Sequence, residues 1–218
     1  MGTITRSFAN NITTSGILLP ASLNNNSIAN VTAYNASIAM GNMILISSQT
    51  ASNSASISFT TGIDSTYKEY QFYFINIKPV NDAVVFTFNL STDSGSNYNV
   101  TKTSTMFLAQ HDEADTDTAL TYRTDYDLAQ STGEEYIVTY QGNASDECLG
   151  GTLQLFNPAS TTYVKHYLVN ANQYHAGNYT QVFYKGGYAN TTSAVNAIRF
   201  KFDSGNISDG TILMYGIK

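Results

Sequence analysis

The chain has 218 residues, of which 42% are hydrophobic and only 12% are charged, and its net charge is −6. Charged residues are about half as frequent as the ~25% of an ordinary soluble domain, so Asn, Ser and Thr supply most of the polar surface. This acidic balance, with no run of Lys or Arg, argues against nucleic-acid binding, because a phosphate backbone is held by a basic stripe.

The first part of the chain, residues 1–42, differs in composition from the rest. Its stretch "SGILLPASLNNNSIANVTAYNAS" spaces single apolar residues among Asn, Ser, Ala and Thr, with no sustained helical period. We interpret it as an extended arm that becomes ordered on a partner or a neighbouring subunit, and the alternative is a disordered leader. The first 16 residues, "MGTITRSFANNITTSG", contain no apolar signal-peptide core, and no apolar run approaches the ~20 residues of a membrane span. We therefore expect a soluble protein made in a cytosol.

From Met43 onward the chain alternates apolar and polar residues with period two, which is typical of half-buried β-strands. The clearest cases are "SASISFT", "EYQFYFINI", "AVVFTFNL", "TTYVKHYLV", "AIRFKF" and "TILMYGI". Turn-forming stretches such as "STDSGSN" and "DSGNISDG" separate them. The pattern predicts ten to twelve short strands in one domain, residues 43–218, with a single helical turn at most, over 125–131. The predicted fold is all-β: an antiparallel β-sandwich, jelly-roll-like, with an extended N-terminal arm.

Two stretches of the chain carry a resemblance to a known group of proteins. Residues 45–79, "LISSQTASNSASISFTTGIDSTYKEYQFYFINIKP", and residues 194–218, "AVNAIRFKFDSGNISDGTILMYGIK", resemble the C-terminal β-domain of bacteriophage tail-fibre and related virion structural proteins, especially those of marine phages. The resemblance covers most of the chain, and its motifs are structural rather than catalytic. It implies a virion protein, assembled in the host cytoplasm, that is a homotrimer, attaches to other virion proteins through its arm, and displays the sandwich to the host surface.

The stretch "QHDEADTDT" concentrates carboxylates beside a histidine, and Asp112, Glu113, Asp115 and Asp117 are the candidate metal ligands. Hard cations such as Ca²⁺ take six to eight oxygen ligands, and an Asp-x-Asp step is a common partial source. The EF-hand spacing is missing, and zinc would need more closely spaced His and Cys residues. A structural divalent cation at this loop is one hypothesis, and a solvated turn between strands is the alternative. We expect no other cofactor.

No catalytic residue is predicted. Carboxylates for glycoside hydrolysis are present at Asp112, Glu113, Glu134, Glu135, Asp146 and Glu147, but their spacing is not diagnostic of a carboxylate pair. The chain has no Gly-x-Ser-x-Gly elbow, and its single cysteine, Cys148, has no Cys/His signature around it. We therefore do not expect an enzyme, and a polysaccharide-cleaving tail protein remains a distant alternative.

Tyrosine is the strongest remaining signal, with 16 residues against no tryptophan. Tyrosine gives rigid, amphipathic contact area and recurs at recognition surfaces. The candidate ligand-binding residues near turns are Tyr98, Tyr122, Tyr126, Tyr174, Tyr179 and Tyr188. The leading hypothesis is a tail-fibre-class virion protein that binds host surface polysaccharide through loops of the sandwich. The alternative is a capsid or tail decoration protein with no receptor-binding role, in which these rings cover the core or a trimer interface.

Overall fold

The structure, a computed structural model, describes residues 42–218. The predicted arm, residues 1–42, lies outside the described residues except for its last residue. Within the described range the chain forms twelve β-strands and no helix, and accordingly no helix there could cross a membrane. The strands are β1 (Met43–Thr50), β2 (Ile57–Phe59), β3 (Glu69–Pro79), β4 (Val84–Ser91), β5 (Lys102–Asp112), β6 (Thr118–Tyr122), β7 (Glu135–Gln141), β8 (Leu149–Phe156), β9 (Lys165–His175), β10 (Tyr179–Ala189), β11 (Ala197–Phe202) and β12 (Ile207–Ile217).

The strands form two facing sheets in which every pair of neighbours is antiparallel. Sheet one has the order β1-β12-β3-β8-β9-β10-β5-β6, and sheet two has the order β7-β4-β11-β2. A single pairing, Gln141 with His175, joins β7 to β9, so that the two sheets nearly close into a barrel. The prediction of an all-β antiparallel sandwich is confirmed.

The jelly-roll part of the prediction is also confirmed by the strand order. When the hairpin β5–β6 and the hairpin β9–β10 are set aside, eight strands remain. They lie in the orders β1-β12-β3-β8 and β2-β11-β4-β7. When these eight strands are renumbered one to eight along the chain, the orders are 1-8-3-6 and 2-7-4-5, which is the double Greek key of a jelly roll. Both inserted hairpins extend sheet one beyond β8. They widen its outward face from four strands to eight.

The core consists of aromatic side chains that the two sheets interleave. Phe72 and Phe74 point inward from β3, and they meet Phe86 and Phe200 of sheet two with ring centroids 5.3 to 5.5 Å apart. All four are almost completely buried. The period-two alternation in the sequence places these rings on one side of their strands, and each buried ring contributes about 1.5–3 kcal/mol of hydrophobic stabilisation.

The segment 125–131, where the sequence left room for a helical turn, forms no helix. The Tyr126 N–H donates to the Arg123 carbonyl at 3.4 Å and closes a turn after β6. The following residues run back along β5, where Leu128 N–H donates to the Ser104 hydroxyl at 3.0 Å. The connection from β6 to β7 therefore packs against the inserted hairpin rather than forming an element of its own.

Candidate ligand-binding site

The inserted hairpins align a row of side chains across the outward face of sheet one. The strand registers place Tyr122, Phe107, Tyr184, Asn170 and Thr152 side by side on β6, β5, β10, β9 and β8. Residues that face each other across antiparallel strands point to the same side of the sheet. The five side chains therefore form a continuous band on the solvent side, directly opposite the buried core.

A groove runs beside this band, and we call it the aromatic groove. It has a volume of about 300 Å³, and its lining consists of Thr105, Phe107, Thr152, Gln154, Leu168, Val169, Asn170, Tyr184, Lys185 and Gly186. Gly186 lies between Thr105 and Leu168 in the row next to Tyr184, and the absence of a side chain there leaves a depression in the sheet face.

The floor of the aromatic groove exposes apolar surface that a soluble domain normally buries. Phe107 and Tyr184 stack with ring centroids 5.1 Å apart and ring planes at 19°. Their exposed fractions are 43% and 41%, and that of Leu168 is 50%. Rings held in this way on two paired strands form a rigid flat platform, because both strands are hydrogen-bonded on each side within the sheet.

The polar lining of the aromatic groove carries no free charge. Thr105, Thr152, Asn170 and Gln154 offer hydroxyl and amide groups. Among the described residues that line the groove, Lys185 is the one charged residue, but its side chain is buried and its Nζ donates to the Tyr126 carbonyl at 2.7 Å and to the Glu135 carboxylate. A planar apolar platform bordered by amides and hydroxyls can stack against the C–H face of a sugar and hydrogen-bond its hydroxyl groups.

Two of the predicted tyrosines lie on this same outward face. Tyr122 pairs with Phe107 at the β6 edge of the band, and its hydroxyl donates to Asp127 at 2.6 Å. Tyr188 lies two residues beyond Gly186 on β10, with its ring 6.2 Å from that of His166. Both tyrosines flank the aromatic groove rather than line it.

Tyr174 and Tyr179 lie together at the end of the β9–β10 hairpin, beside the acidic stretch. They line a separate cavity of about 430 Å³ with Asp112 and Glu113. A hydrogen bond with Glu113 raises the pKa of Tyr174, and the negative charge of Asp117 raises the pKa of Tyr179. This second cavity is therefore acidic, and it is lined by phenols that stay protonated.

Tyr98 and Tyr126 line neither the aromatic groove nor the second cavity, and each contacts an arginine side chain. The guanidinium of Arg199 lies 4.4 Å from the Tyr98 ring centroid, and that of Arg123 lies 4.2 Å from the Tyr126 ring centroid. Such cation–π contacts stabilise the loops from which the tyrosines come. The six predicted tyrosines thus occupy several places instead of one site, and their role as ligand-binding residues stays a prediction.

The carboxylates of the acidic stretch organise the turn between β5 and β6. Asp112 accepts hydrogen bonds from the Thr116 hydroxyl at 2.6 Å and from the Thr116 and Asp117 amides at 2.8 Å, and these bonds lower its pKa. Asp115 contacts His111 at 3.0 Å, and Asp117 accepts from Gln110 at 2.8 Å. Between Asn42 and Lys218, no three His, Cys, Asp or Glu side chains are grouped to hold a metal ion. The geometry gives the predicted cation no support.

The other carboxylates singled out in the sequence are dispersed. Glu134 pairs with Arg199 at 2.7 Å, Glu147 accepts from the Ala144 amide at 2.6 Å, and Glu135 is buried in the interior. Asp146 borders the second cavity together with Cys148, whose thiol is half-buried. Asp146 therefore shares this cavity with Asp112 and Glu113, whereas Glu134 and Glu135 lie elsewhere.

The residues of the aromatic groove were not singled out from the sequence. The neighbours of Phe107, Leu168 and Tyr184 in the sequence are apolar or buried residues that point to the other side of the strand. Neither side of these strands is therefore clearly polar in the sequence. This pattern is the one feature of the sequence that could have identified the groove, because an apolar residue on the solvent side of a strand predicts a contact surface. The pairing that brings β5, β9 and β10 together has no local signature.

Comparison with known proteins found no match: no protein-family model, curated protein or solved structure is significantly similar to this chain.

Proposed function

We propose that the protein is a virion structural protein of the tail-fibre class that binds a neutral host surface glycan in the aromatic groove. The observation that carries this proposal is the exposed Phe107–Tyr184 stack, bordered by Asn170, Gln154 and Thr152. The tail-fibre class itself rests on the resemblance of residues 45–79 and 194–218. The sheet face takes the place of the loops as the expected site of glycan binding.

The charge of the groove selects the class of glycan. Its lining offers amides and hydroxyls, and Lys185 is committed to Glu135 in the interior. An acidic polysaccharide would find no free cation there, and the net charge of −6 would repel it. Neutral hexoses are complementary to the groove, because they present an apolar ring face and hydroxyl groups and require no counter-charge.

Assembly supplies the affinity that one shallow groove lacks. A homotrimer attached to the particle through the arm, residues 1–42, would present several grooves to one cell surface. Once one groove is occupied, the others bind at a high effective concentration, which raises the overall avidity by orders of magnitude without new contacts. This matches a groove with a volume of only about 300 Å³.

A second candidate function is packing against another virion protein with no receptor-binding role. It is favoured by other apolar side chains on the outward face of sheet one, namely Leu45 on β1, Ile75 on β3 and Leu120 on β6, which are 52%, 44% and 75% exposed. Apolar side chains exposed at several places on one sheet face are expected where that face packs against another protein. In this case sheet one would be covered in the particle.

The test is binding to immobilised neutral and uronic-acid-containing oligosaccharides, measured for three proteins. The full chain should bind a neutral glycan, and Tyr184→Ala should weaken that binding about tenfold, which corresponds to ~1.4 kcal/mol. Tyr163→Ala is the matched control, since Tyr163 is 70% exposed in the loop before β9 and does not line the groove. Binding by none of the proteins, or equal loss in both variants, would favour the packing function.

A further inference from the structure

A buried lysine of sheet one contacts a buried asparagine of sheet two. Lys102 begins β5 in sheet one, and Asn89 lies in β4 of sheet two. The two residues are 0% and 1% exposed. Neither residue lines the aromatic groove, and the proposed function gives this buried polar pair no role.

The surroundings of Lys102 make its ammonium group easier to deprotonate than that of an exposed lysine. Its Nζ contacts the Asn89 Oδ1 at 2.6 Å and the Val100 carbonyl at 2.8 Å, and both acceptors are uncharged. Among the ion pairs of residues 42–218, Lys102 takes part in none, whereas Lys185 holds the buried Glu135 carboxylate. Burial lowers the pKa of Lys102 to about 8, although the charges of Glu135 and Glu134 oppose the shift. A desolvated, neutral lysine is a nucleophile.

The Asn89 side chain is held in place by hydrogen bonds at both of its polar atoms. Its Oδ1 accepts from the Leu90 amide at 2.9 Å, which polarises the carbonyl, and its Nδ2 donates to the Thr132 carbonyl at 3.1 Å. Because a C=O bond is about 1.23 Å long, Lys102 Nζ lies no more than about 3.8 Å from Asn89 Cγ. That separation is close to the ~3–3.5 Å of a near-attack geometry.

We propose that Lys102 and Asn89 become joined by an intramolecular isopeptide bond. The Nζ lone pair attacks Asn89 Cγ, a new C–N bond forms, and the Cγ–Nδ2 bond breaks. One Nζ proton passes to the departing Nδ2, which leaves as ammonia. The step is an amide exchange without oxidation or reduction, and it needs no co-reactant.

The bond would lock the sandwich in a specific way. It joins β4 to β5, and therefore sheet two to sheet one, across the intervening residues 92–101. A chain with a single cysteine cannot make an intrachain disulfide, so an isopeptide bond offers a covalent sheet-to-sheet connection that also resists reducing conditions. Its formation does not depend on whether the aromatic groove binds glycan.

The test is the intact mass of the purified full chain, followed by mass spectrometry of a protease digest. We expect a mass lower by one ammonia than the sequence requires after N-terminal processing, and a linked pair of peptides that contain Asn89 and Lys102. A chain at its full sequence mass, with both peptides recovered unlinked, would overturn the proposal. This measurement needs no variant, so it stays decisive even where a core substitution prevents folding.

Two lysine variants identify the source of any ammonia loss. Lys102→Met should restore the full mass, and Lys165→Met should retain the loss. Lys165 is the matched control, because it is also buried but its Nζ contacts only the backbone carbonyls of Tyr163 and Thr191. Ammonia loss that persists in Lys102→Met would come from another reaction, such as cyclisation of an asparagine on its own backbone, and would contradict the bond.

Discussion

Lys185 of β10 and Glu135 of β7 form an ion pair that is completely buried between the two sheets. The Glu135 carboxylate also accepts from the Tyr167 hydroxyl, and from the Ser104 hydroxyl at 3.1 Å. Burial lowers the pKa of Lys185 and raises that of Tyr167, and the charge of Glu135 opposes the first shift and strengthens the second. This network anchors the inserted hairpins, and with them the platform of the aromatic groove, to the jelly-roll core.

Replacing Lys185 with Met should destabilise the domain strongly, because it leaves the Glu135 charge buried without its cation. Removing one partner of a buried pair typically costs about 3–5 kcal/mol, and urea denaturation measures the change. Lys201→Met is the control: Lys201 lies 3.9 Å from Glu134 with a third of its side chain exposed, and its loss should cost less than about 1 kcal/mol. Equal losses in the two variants would mean that the buried pair has no special role.

Alanine substitutions at two adjacent glycines of β8 should have very different effects on the stability of the domain. A Cβ on Gly151 would lie 2.5 Å from the Asn170 carbonyl oxygen and 2.6 Å from the Ala171 Cα, and neither backbone atom can yield easily. Gly151→Ala should therefore cost about 1–3 kcal/mol by overpacking. A Cβ on Gly150 meets nothing closer than the Phe74 carbonyl at 3.6 Å, so Gly150→Ala should change the free energy of unfolding by less than about 0.5 kcal/mol. Thermal denaturation of both variants provides the comparison.

The loop after β4 should be sensitive to acid at one carboxylate. Hydrogen bonds from the Ser91 hydroxyl and from Asn97 lower the pKa of Asp93 from 3.8 to about 2. Because the folded pKa lies below the unfolded one, the stabilisation is complete above pH 3.8 and is lost as the pH falls through about 2. An NMR titration of the Asp93 carboxyl carbon should give that midpoint. In Asp93→Asn, the loop should show no acid transition in this range, and a midpoint near 3.8 in the native chain would refute the account.

The fold was largely predictable from the sequence, and the candidate site was not. Alternation in segments such as "EYQFYFINI" identifies buried Tyr70, Phe72 and Phe74 directly, since a strand with one buried side repeats every second residue. The groove depends instead on β5 pairing with β10, whose paired residues are 67 to 87 positions apart in the sequence. Long-range pairing leaves no local trace, so the tyrosines near turns stood out while Tyr184, in mid-strand, did not.

Binding of a neutral glycan in the aromatic groove should be nearly independent of salt. Raising the ionic strength from ~0.01 to ~1 M shortens the Debye length from about 30 to about 3 Å, which abolishes attraction between exposed charges. Because the described lining offers no free charge, the Kd should change less than about twofold over this range. Calorimetric titration at both ionic strengths provides the measurement. A loss of tenfold or more in high salt would indicate an ionic ligand and a different site.

The most direct test of glycan binding on the outward face of sheet one is a map of backbone amide shifts on adding the neutral oligosaccharide that binds best. We predict that the largest shifts fall on Phe107, Leu168 and Tyr184 and leave Tyr174 and Tyr179 unchanged. Shifts confined to the cavity lined by Tyr174 and Tyr179, or no shifts with any neutral glycan, would contradict the assignment of the aromatic groove.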